Sequence, residues 1–371
     1  MLILSIDTSA DETSVAITSG RRVLVSVVSS QITSHKIWGG INPGVARLAH
    51  QKRITPVVNR ALKKLQGIKK DAVHGDQSSD TSAHYTTKDI SAVAVTRGPG
   101  LSIALDVGIT KARELAQEWQ IPLIAVNHMA GHLFSPFVQN SHGHPDTEVP
   151  ERFLSLLISG GHTQIVQCEK SKVKSQNDSS ISIYEFTILG ETMDDAAGEA
   201  LDKAAKMLGL GYPGGPVIER LAKEMANRDF YRFPRPMIGL PTLDMSFSGL
   251  KTHLVYFLRG EKGIIVDPIA QLREIASSFQ EAVFDAVIRK LDKAIAQTGI
   301  TTLAVGGGVI ANKRLRHLLR LLMKKHGGTV IFPPYKYLCG DNAAMIGVAA
   351  HLAGPMQTQV GDWMSEPRLS W

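Results

Sequence analysis

Cysteine is nearly absent. Cys168 and Cys339 are the only two in 371 residues. They lie far apart, so a disulfide framework is excluded and a reducing compartment is expected. Cys339 stands two positions before Asp341, so a thiol role at that point stays open. Long hydrophobic runs are missing as well: no stretch approaches the roughly 20 apolar residues of a membrane span, and mean hydropathy is -0.01. The segment Met1-Leu2-Ile3-Leu4-Ser5-Ile6-Asp7 has no basic region before its apolar part, so it reads as a buried strand rather than a signal peptide. No Arg-rich presequence is visible. A cytoplasmic protein with no membrane contact is the expectation.

Apolar residues make up 43% of the chain. That is ample for a core, and chains beyond ~250–300 residues tend to divide into domains. Net charge is +7 and the pI is about 9.3, which permits an anionic partner such as nucleic acid. Part of that charge is clustered in Arg314, Arg316, His317, Arg320, Lys324, Lys325 and His326. The cluster reads either as a solvated helix face or as a surface for a polyanion.

The most specific local signal is His128 and His132 in Val126-Asn127-His128-Met129-Ala130-Gly131-His132. Four residues apart, the two rings share one helix face and can hold one metal ion. Such pairs also arise by chance, and a further hard ligand is needed. Asp341, in Cys339-Gly340-Asp341-Asn342-Ala343, is the best candidate. Between the histidines stands Met-Ala-Gly, with no Glu after the first His. The general base of the zinc-protease motif is therefore missing.

Strand, small polar turn, strand is the pattern of residues 2–17, and it returns at 153–167. Two later pieces also correspond: 91–100 and 302–308 each read as a buried strand that ends in a Gly-rich turn and runs into a helix. Such turns let a backbone approach closely and aim amides at an anion. A duplicated α/β lobe with phosphate turns on a shared cleft is the actin-like ATPase and sugar-kinase (ASKHA) architecture. Residues 1–127 read as the N-terminal lobe. Residues 128–371 read as the C-terminal lobe, carrying most of the nucleotide site and a final helix able to pack back on the first. A helix is expected from Pro43 to residue 66, with Leu48, Val57, Val58, Ala61, Leu62 and Leu65 as its apolar face. Residues 69–88, with His74 and His84, read as a polar exposed insertion. In 190–216, Asp195, Glu199 and Asp202 fall at helical spacing, as a solvated acidic face or as a carboxylate for a ribose hydroxyl.

Taken in order, these segments resemble the TsaD family, the transferases that make threonylcarbamoyladenosine in tRNA (formerly O-sialoglycoprotein endopeptidases). The motifs carrying the resemblance are Ser5-Ile6-Asp7-Thr8-Ser9, Asp11-Glu12-Thr13, Asn127 to His132, Leu157-Ile158-Ser159-Gly160-Gly161-His162-Thr163, the 190–216 stretch, Phe247 to Thr252, Gly306 to Asn312 and Asp341 to Ile346. The resemblance implies that His128, His132 and Asp341 bind one divalent metal ion, iron first and zinc second. It implies that Leu157, Ile158, Ser159, Gly160 and Gly161 cradle the substrate phosphate, that Asp202 and Gly215 with Glu219 hold adenosine, and that Asn312 is a further nucleotide contact. The reaction implied is transfer from threonylcarbamoyl-AMP to the exocyclic amine of adenosine 37 in tRNAs reading codons that begin with adenosine. An actin-like partner subunit and a small ATPase are the implied partners, and no covalent nucleophile is assigned. The chain departs from the family pattern at Ala10, commonly Cys, at 43–50, commonly Pro-Glu-Leu-Ala-Ser-Arg-Ala-His, and at Gly340, commonly Thr. A metalloprotease, a sugar or acetate kinase and a non-catalytic actin-like scaffold are the rival readings.

Overall fold

The computed structural model describes residues 1–70, 83–174, 180–260, 270–353 and 364–369. By contact the chain divides into two compact units. One comprises Met1–Val149, Lys170–Glu185 and Pro333–Trp371, the other Pro150–Glu169 and Phe186–Phe332. The sequence pattern suggests a single cut after residue 127. The histidine helix and the final helix belong to the first unit.

The first unit is built on the strands β1 (Leu2–Asp7), β2 (Glu12–Ser19), β3 (Arg22–Ser30), β4 (Ile90–Gly98) and β5 (Leu123–Asn127), in the order β3-β2-β1-β4-β5. The pairs β1–β2 and β2–β3 are antiparallel, and β1–β4 and β4–β5 parallel. A short helix α1 (Ile32–His35) follows β3, and the long helices α2 (Pro43–Gln66) and α3 (Ser102–Trp119) supply one apolar layer. Alternation along the strands separates the faces. Leu2, Leu4, Ile6, Val15 and Ile17 join the core that α2 and α3 cover. On the other face, Ser5 Oγ donates to the carbonyl of Ala343 at 2.6 Å, and Ser14 Oγ accepts from the Ala343 N–H at 2.8 Å. These bonds seat the final helix α10 (Ala343–Leu352); α4 (His128–Phe134) packs against it.

The buried stripe of α2 is Ala46, His50, Ile54, Val57, Val58, Ala61 and Leu65. Leu48 does not belong to it and is 59% exposed. The stripe runs through His50, whose ring finds buried partners, and that turns Leu48 to solvent. The expected insertion at 69–88 lies mostly outside the described residues, His74 included; His84, at its described end, is exposed.

A second sheet, whose strands lie in the second unit except for residues 170–174 and 180–185 of its outer pair, repeats the plan. Strands β6 (Arg152–Ile158), β7 (Thr163–Lys174), β8 (Ser180–Glu191), β9 (Thr302–Gly306) and β10 (Thr329–Ile331) take the order β10-β9-β6-β7-β8. Replacing each strand by the one five earlier gives the order of the first sheet. As with β1 and its neighbours, β6 pairs antiparallel with β7 and parallel with β9. Helices α5 (Ala197–Met207), α6 (Gly215–Glu224), α7 (Ser248–Leu258), α8 (Leu272–Thr298) and α9 (Lys313–Lys325) belong to this unit, with the fully buried Phe233, Phe279 and Phe284 in its core. No described helix is long and apolar enough to cross a membrane.

Candidate functional site

In the first unit, α4 begins where β5 ends. Asn127 caps it, its side chain accepting from the Met129 N–H at 2.8 Å. His128 and His132 then fall one turn apart on the buried side, 6% and 1% exposed. Gly131 between them allows α10 to come close, since a Cβ there would lie 2.9 Å from Ile346 Cδ1 and 3.0 Å from Met345 Cγ. Asn342 caps α10 through the Met345 N–H, which fixes Asp341 immediately before the helix. The result is a three-residue cluster whose ligand atoms all lie within 4.8 Å of one another.

Asp341 Oδ1 is 3.4 Å from His128 Nε2 and 3.1 Å from His132 Nε2. Separations of this size are what bonds of ~2.1 Å meeting at ~95–110° would produce. Two imidazoles and a carboxylate are a donor set for iron or zinc. A further carboxylate lies behind: Asp7 Oδ1 is 3.6 Å from His128 Nδ1, beyond hydrogen-bond length but within ion-pair range. Asp7 is fully buried at the end of β1, held by the Thr96 hydroxyl at 2.7 Å and the Ser9 amide at 3.3 Å. Its Oδ2, with Nδ1 of both histidines, is buried without a hydrogen-bond partner. A buried carboxylate oxygen lacking a donor is costly, and a nearby cation offsets that cost.

Burial alone would keep the His128 ring neutral, but Asp341 and then Asp7 outweigh it and push its pKa up to about 10. Burial works against the Asp341 carboxylate too, and the two histidines hold it well below the usual range. Glu12 behaves in the opposite way. Burial, reinforced by Asp11 and Asp341, pushes it up to about 10, so it keeps its proton at neutral pH. His50 is no ligand. Its Nε2 lies 3.0 Å from the Ala10 carbonyl and its Nδ1 2.8 Å from Thr13 Oγ1. The carbonyl needs a donor, so the proton is on Nε2, and Nδ1 accepts from the threonine. This resembles a hydroxyl nucleophile with its base, but Thr13 is fully buried in β2.

In the second unit, β6 ends in the turn Ser159-Gly160-Gly161. Ser159 Oγ accepts from the amides of Gly161 at 3.3 Å and His162 at 3.1 Å. The Gly161 amide is thus engaged within the turn, and among the described residues no acceptor takes the Gly160 amide. A Cβ on either glycine would meet nothing within 4 Å, which leaves room for a ligand. Leu157 and Ile158 have fully buried side chains and reach this space only through their backbone. Asp202 Oδ1 accepts from the amides of Gly214 at 2.8 Å and Gly215 at 3.0 Å, tying α5 to the turn that starts α6. Burial raises the Asp202 pKa against the pull of those amides.

Asp195 does not lie on α5, as its spacing suggested. It precedes the helix, with its carbonyl taking the Thr192 hydroxyl at 2.7 Å. Lys203 binds Asp195 at 2.6 Å and Glu199 at 2.9 Å, and Lys251 binds Asp195 at 2.7 Å, so the acidic stripe is largely neutralised. Glu219 accepts from the Lys313 N–H at 2.7 Å. Asn312 is buried and caps α9: its Oδ1 takes the amides of Arg314 and Leu315, and its Nδ2 donates to Gln280 at 2.9 Å. Its side chain is committed, which no sequence spacing reveals.

Asp194 caps α7. It accepts from the Phe247 N–H at 2.8 Å, the Ser248 N–H at 3.1 Å, and the Ser246 and Ser248 hydroxyls. Asp194→Ala should destabilise the protein by about 0.5–2 kcal/mol. Burial raises the Asp194 pKa, but the four hydrogen bonds outweigh it and the net shift is downward. Its contribution is therefore present above the unfolded carboxylate pKa of ~3.9 and is lost as pH falls through the lower folded value. Thermal unfolding of both proteins from pH 7 to pH 3 should show the difference shrinking at the acid end.

The sequence profile of the TsaD family, tRNA N6-adenosine threonylcarbamoyltransferase, matches residues 22–75 and 78–348. A protein of that description from Syntrophotalea carbinolica is 41% identical over 357 residues, covering 95% of this chain and 92% of the relative. This chain belongs to the TsaD family. A second relative of the same description, from Trichlorobacter lovleyi, is 40% identical over 94% of this chain and 90% of its own length. The crystal structure of T. kodakarensis HypF matches with a TM-score of 0.54 at 12% identity, covering 94% of this chain and 46% of that one. That likeness concerns the fold alone, the actin-like ATPase fold. Spacing within the TsaD-family chain points to His128 and His132, and Asp341 joins them. In the sequence Asp7 shows as the end of a strand within the motif Ser5 to Ser9, with no sign of His128, because its approach to His128 depends on β4 and β5 pairing beside β1.

Proposed function

We propose that the chain transfers the threonylcarbamoyl group from threonylcarbamoyl-AMP to N6 of adenosine 37 in tRNA, with one divalent metal held by His128, His132 and Asp341. The observation that carries this reading is the convergence of those three side chains, from positions 128 to 341, in a TsaD-family chain. Neither a protease nor a bare scaffold is favoured: the former lacks its catalytic Glu, and the latter has no use for a buried metal cluster.

When bound, the metal supplies Lewis-acid charge and a template for the anionic donor. The remaining work falls to the chain. Asp341 and the histidines fix the ligand set, and Asp7 faces Nδ1 of His128 at ion-pair range while Nε2 faces Asp341. The Gly160 amide offers a hydrogen bond to negative charge that develops as AMP leaves. The turn at Gly214 and Gly215, held by Asp202, takes the nucleoside with Glu219, and Asn312 supports it by fixing the start of α9. Transfer is direct. Cys168 and Cys339 are both buried, and burial raises the Cys168 thiol pKa well above normal, so neither suits a covalent intermediate.

The test is incubation with threonylcarbamoyl-AMP and unmodified tRNA, alone and with an actin-like partner and a small ATPase. The modified nucleoside and one AMP per transfer are expected. Donor consumption without modified tRNA, under every partner combination, would refute the activity. Elemental analysis of the purified protein decides between iron and zinc. Asp7→Asn should lower metal affinity by about 10–100-fold, as outer carboxylates on ligating histidines typically do; competition with a chelator measures it.

A further inference from the structure

No Asp or Glu occurs between Asp292 and Asp341, a stretch that holds eight lysines and arginines. Helix α9 lies inside it, and the structure separates its cations into two sets. Those turned toward α8 are neutralised: Arg314 pairs with Glu281 at 2.7 Å, and Lys325 and His326 pair with Asp292 at 2.7 and 2.5 Å. Glu219, the acid at the start of α9, is engaged by the Lys313 backbone N–H. The exposed set is Lys313, His317, Arg320 and Lys324. At ~100° per residue these four fall within ~60° of one another and form a single line along the helix, ~4.5–6 Å apart in rise. Successive phosphates of a nucleic-acid strand are spaced on the same scale.

A second observation shows that part of this line is held in place. The guanidinium groups of Arg316 and Arg320 lie 4.8 and 4.7 Å from the ring centroid of Phe332. Arg316 is half-buried and donates its Nε–H to the Ile310 carbonyl at 2.7 Å. Arg320 is exposed, and stacking orders it without using its N–H donors, which remain able to grip a phosphate in bidentate fashion. Helix α2 is also rich in exposed cations, but Arg47, Lys52, Arg60, Lys63 and Lys64 spread over more than half its circumference.

We propose that the exposed line of α9, ordered by Phe332, is a seat for the phosphate backbone of the tRNA substrate. This rests on the transferase reading and adds the surface that takes the RNA. Lysines and arginines that neutralise phosphates release condensed counterions, so every phosphate they neutralise leaves its mark on the salt dependence of binding.

The test uses the full chain and an unmodified tRNA transcript, with affinity measured across a salt series. In the double variant Arg320→Gln, Lys324→Gln, the slope of log affinity against log salt should fall by about 1.4–1.8, at ~0.7–0.9 for each phosphate no longer neutralised. At low salt the affinity should drop about tenfold, and the difference should fade at high salt. In steady state, KM for tRNA should rise with kcat unchanged. The double variant Arg60→Gln, Lys63→Gln on α2 removes the same charge elsewhere and should leave the slope near that of the unaltered chain. An unchanged slope in the α9 variant, or an equal fall in the α2 variant, overturns the proposal. An occupant that is a protein rather than RNA would give the first of these results. The binding series does not depend on turnover, so a chain that fails to modify tRNA refutes the activity while the slopes still judge the surface.

Discussion

Alanine at His128, His132 or Asp341 is expected to abolish tight metal binding and threonylcarbamoyl transfer together, while the chain still folds. Each side chain is one of three proposed ligands whose donor atoms lie within 4.8 Å of one another, and loss of a direct ligand should exceed the ~10–100-fold cost of disturbing an outer partner. Metal content should fall from about one per chain to nearly none, with modified nucleoside reduced at least ~100-fold. The pairing also sets the pH dependence. In the metal-free site Asp341 and Asp7 overcome the effect of burial and push His128 up to about 10, so at neutral pH its ring carries a proton that a metal must displace. Metal uptake in weak buffer should therefore release a proton, and affinity should fall as pH is lowered. A His128→Ala chain that kept both metal and activity would overturn the ligand assignment.

Gly198→Ala should give the complementary phenotype, keeping the metal and losing the donor. The Gly198 N–H donates to the Ser159 carbonyl at 3.2 Å. A Cβ there would stand 2.5 Å from that oxygen and 3.0 Å from Gly160 Cα. Both obstacles are backbone, so either α5 or the Ser159-Gly160-Gly161 turn must move. Overpacking of this kind costs about 1–3 kcal/mol, and it falls on the turn whose Gly160 amide is proposed to meet the leaving phosphate. KM for threonylcarbamoyl-AMP should rise and turnover fall, with metal content by elemental analysis unchanged. Donor affinity equal to that of the unaltered chain would dissociate this turn from the nucleotide.

Much of the fold could be read from local pattern. The two strand–turn–strand openings and the two strands ending in glycine turns correspond to β1–β2, β6–β7, β4 and β9, and the sheets share one strand order. The histidine pair was legible because helical spacing alone places both rings on one side. Features decided by tertiary packing were not. Leu48 has the spacing of a core residue, yet the stripe of α2 runs through His50 instead. Asp195 has the spacing of a helical residue, yet Thr192, Lys203 and Lys251 hold it in the preceding turn. Asn312 reads as a polar residue after a glycine turn, and only the structure shows both ends of its amide already used. Asp7 gains its place beside His128 from strand pairing, which no linear motif encodes.

The buried bond between Ser5 and Ala343 joins residues 338 positions apart. A chain emerging from the ribosome can pair its first five strands long before the helix that covers them has been made. Until that helix arrives, the serine-lined side of the sheet stays wet and Asp341 is not yet present beside the histidines. A product truncated before residue 341 would carry two of the three proposed ligands and an uncovered sheet, the kind of surface that chaperones and proteases remove.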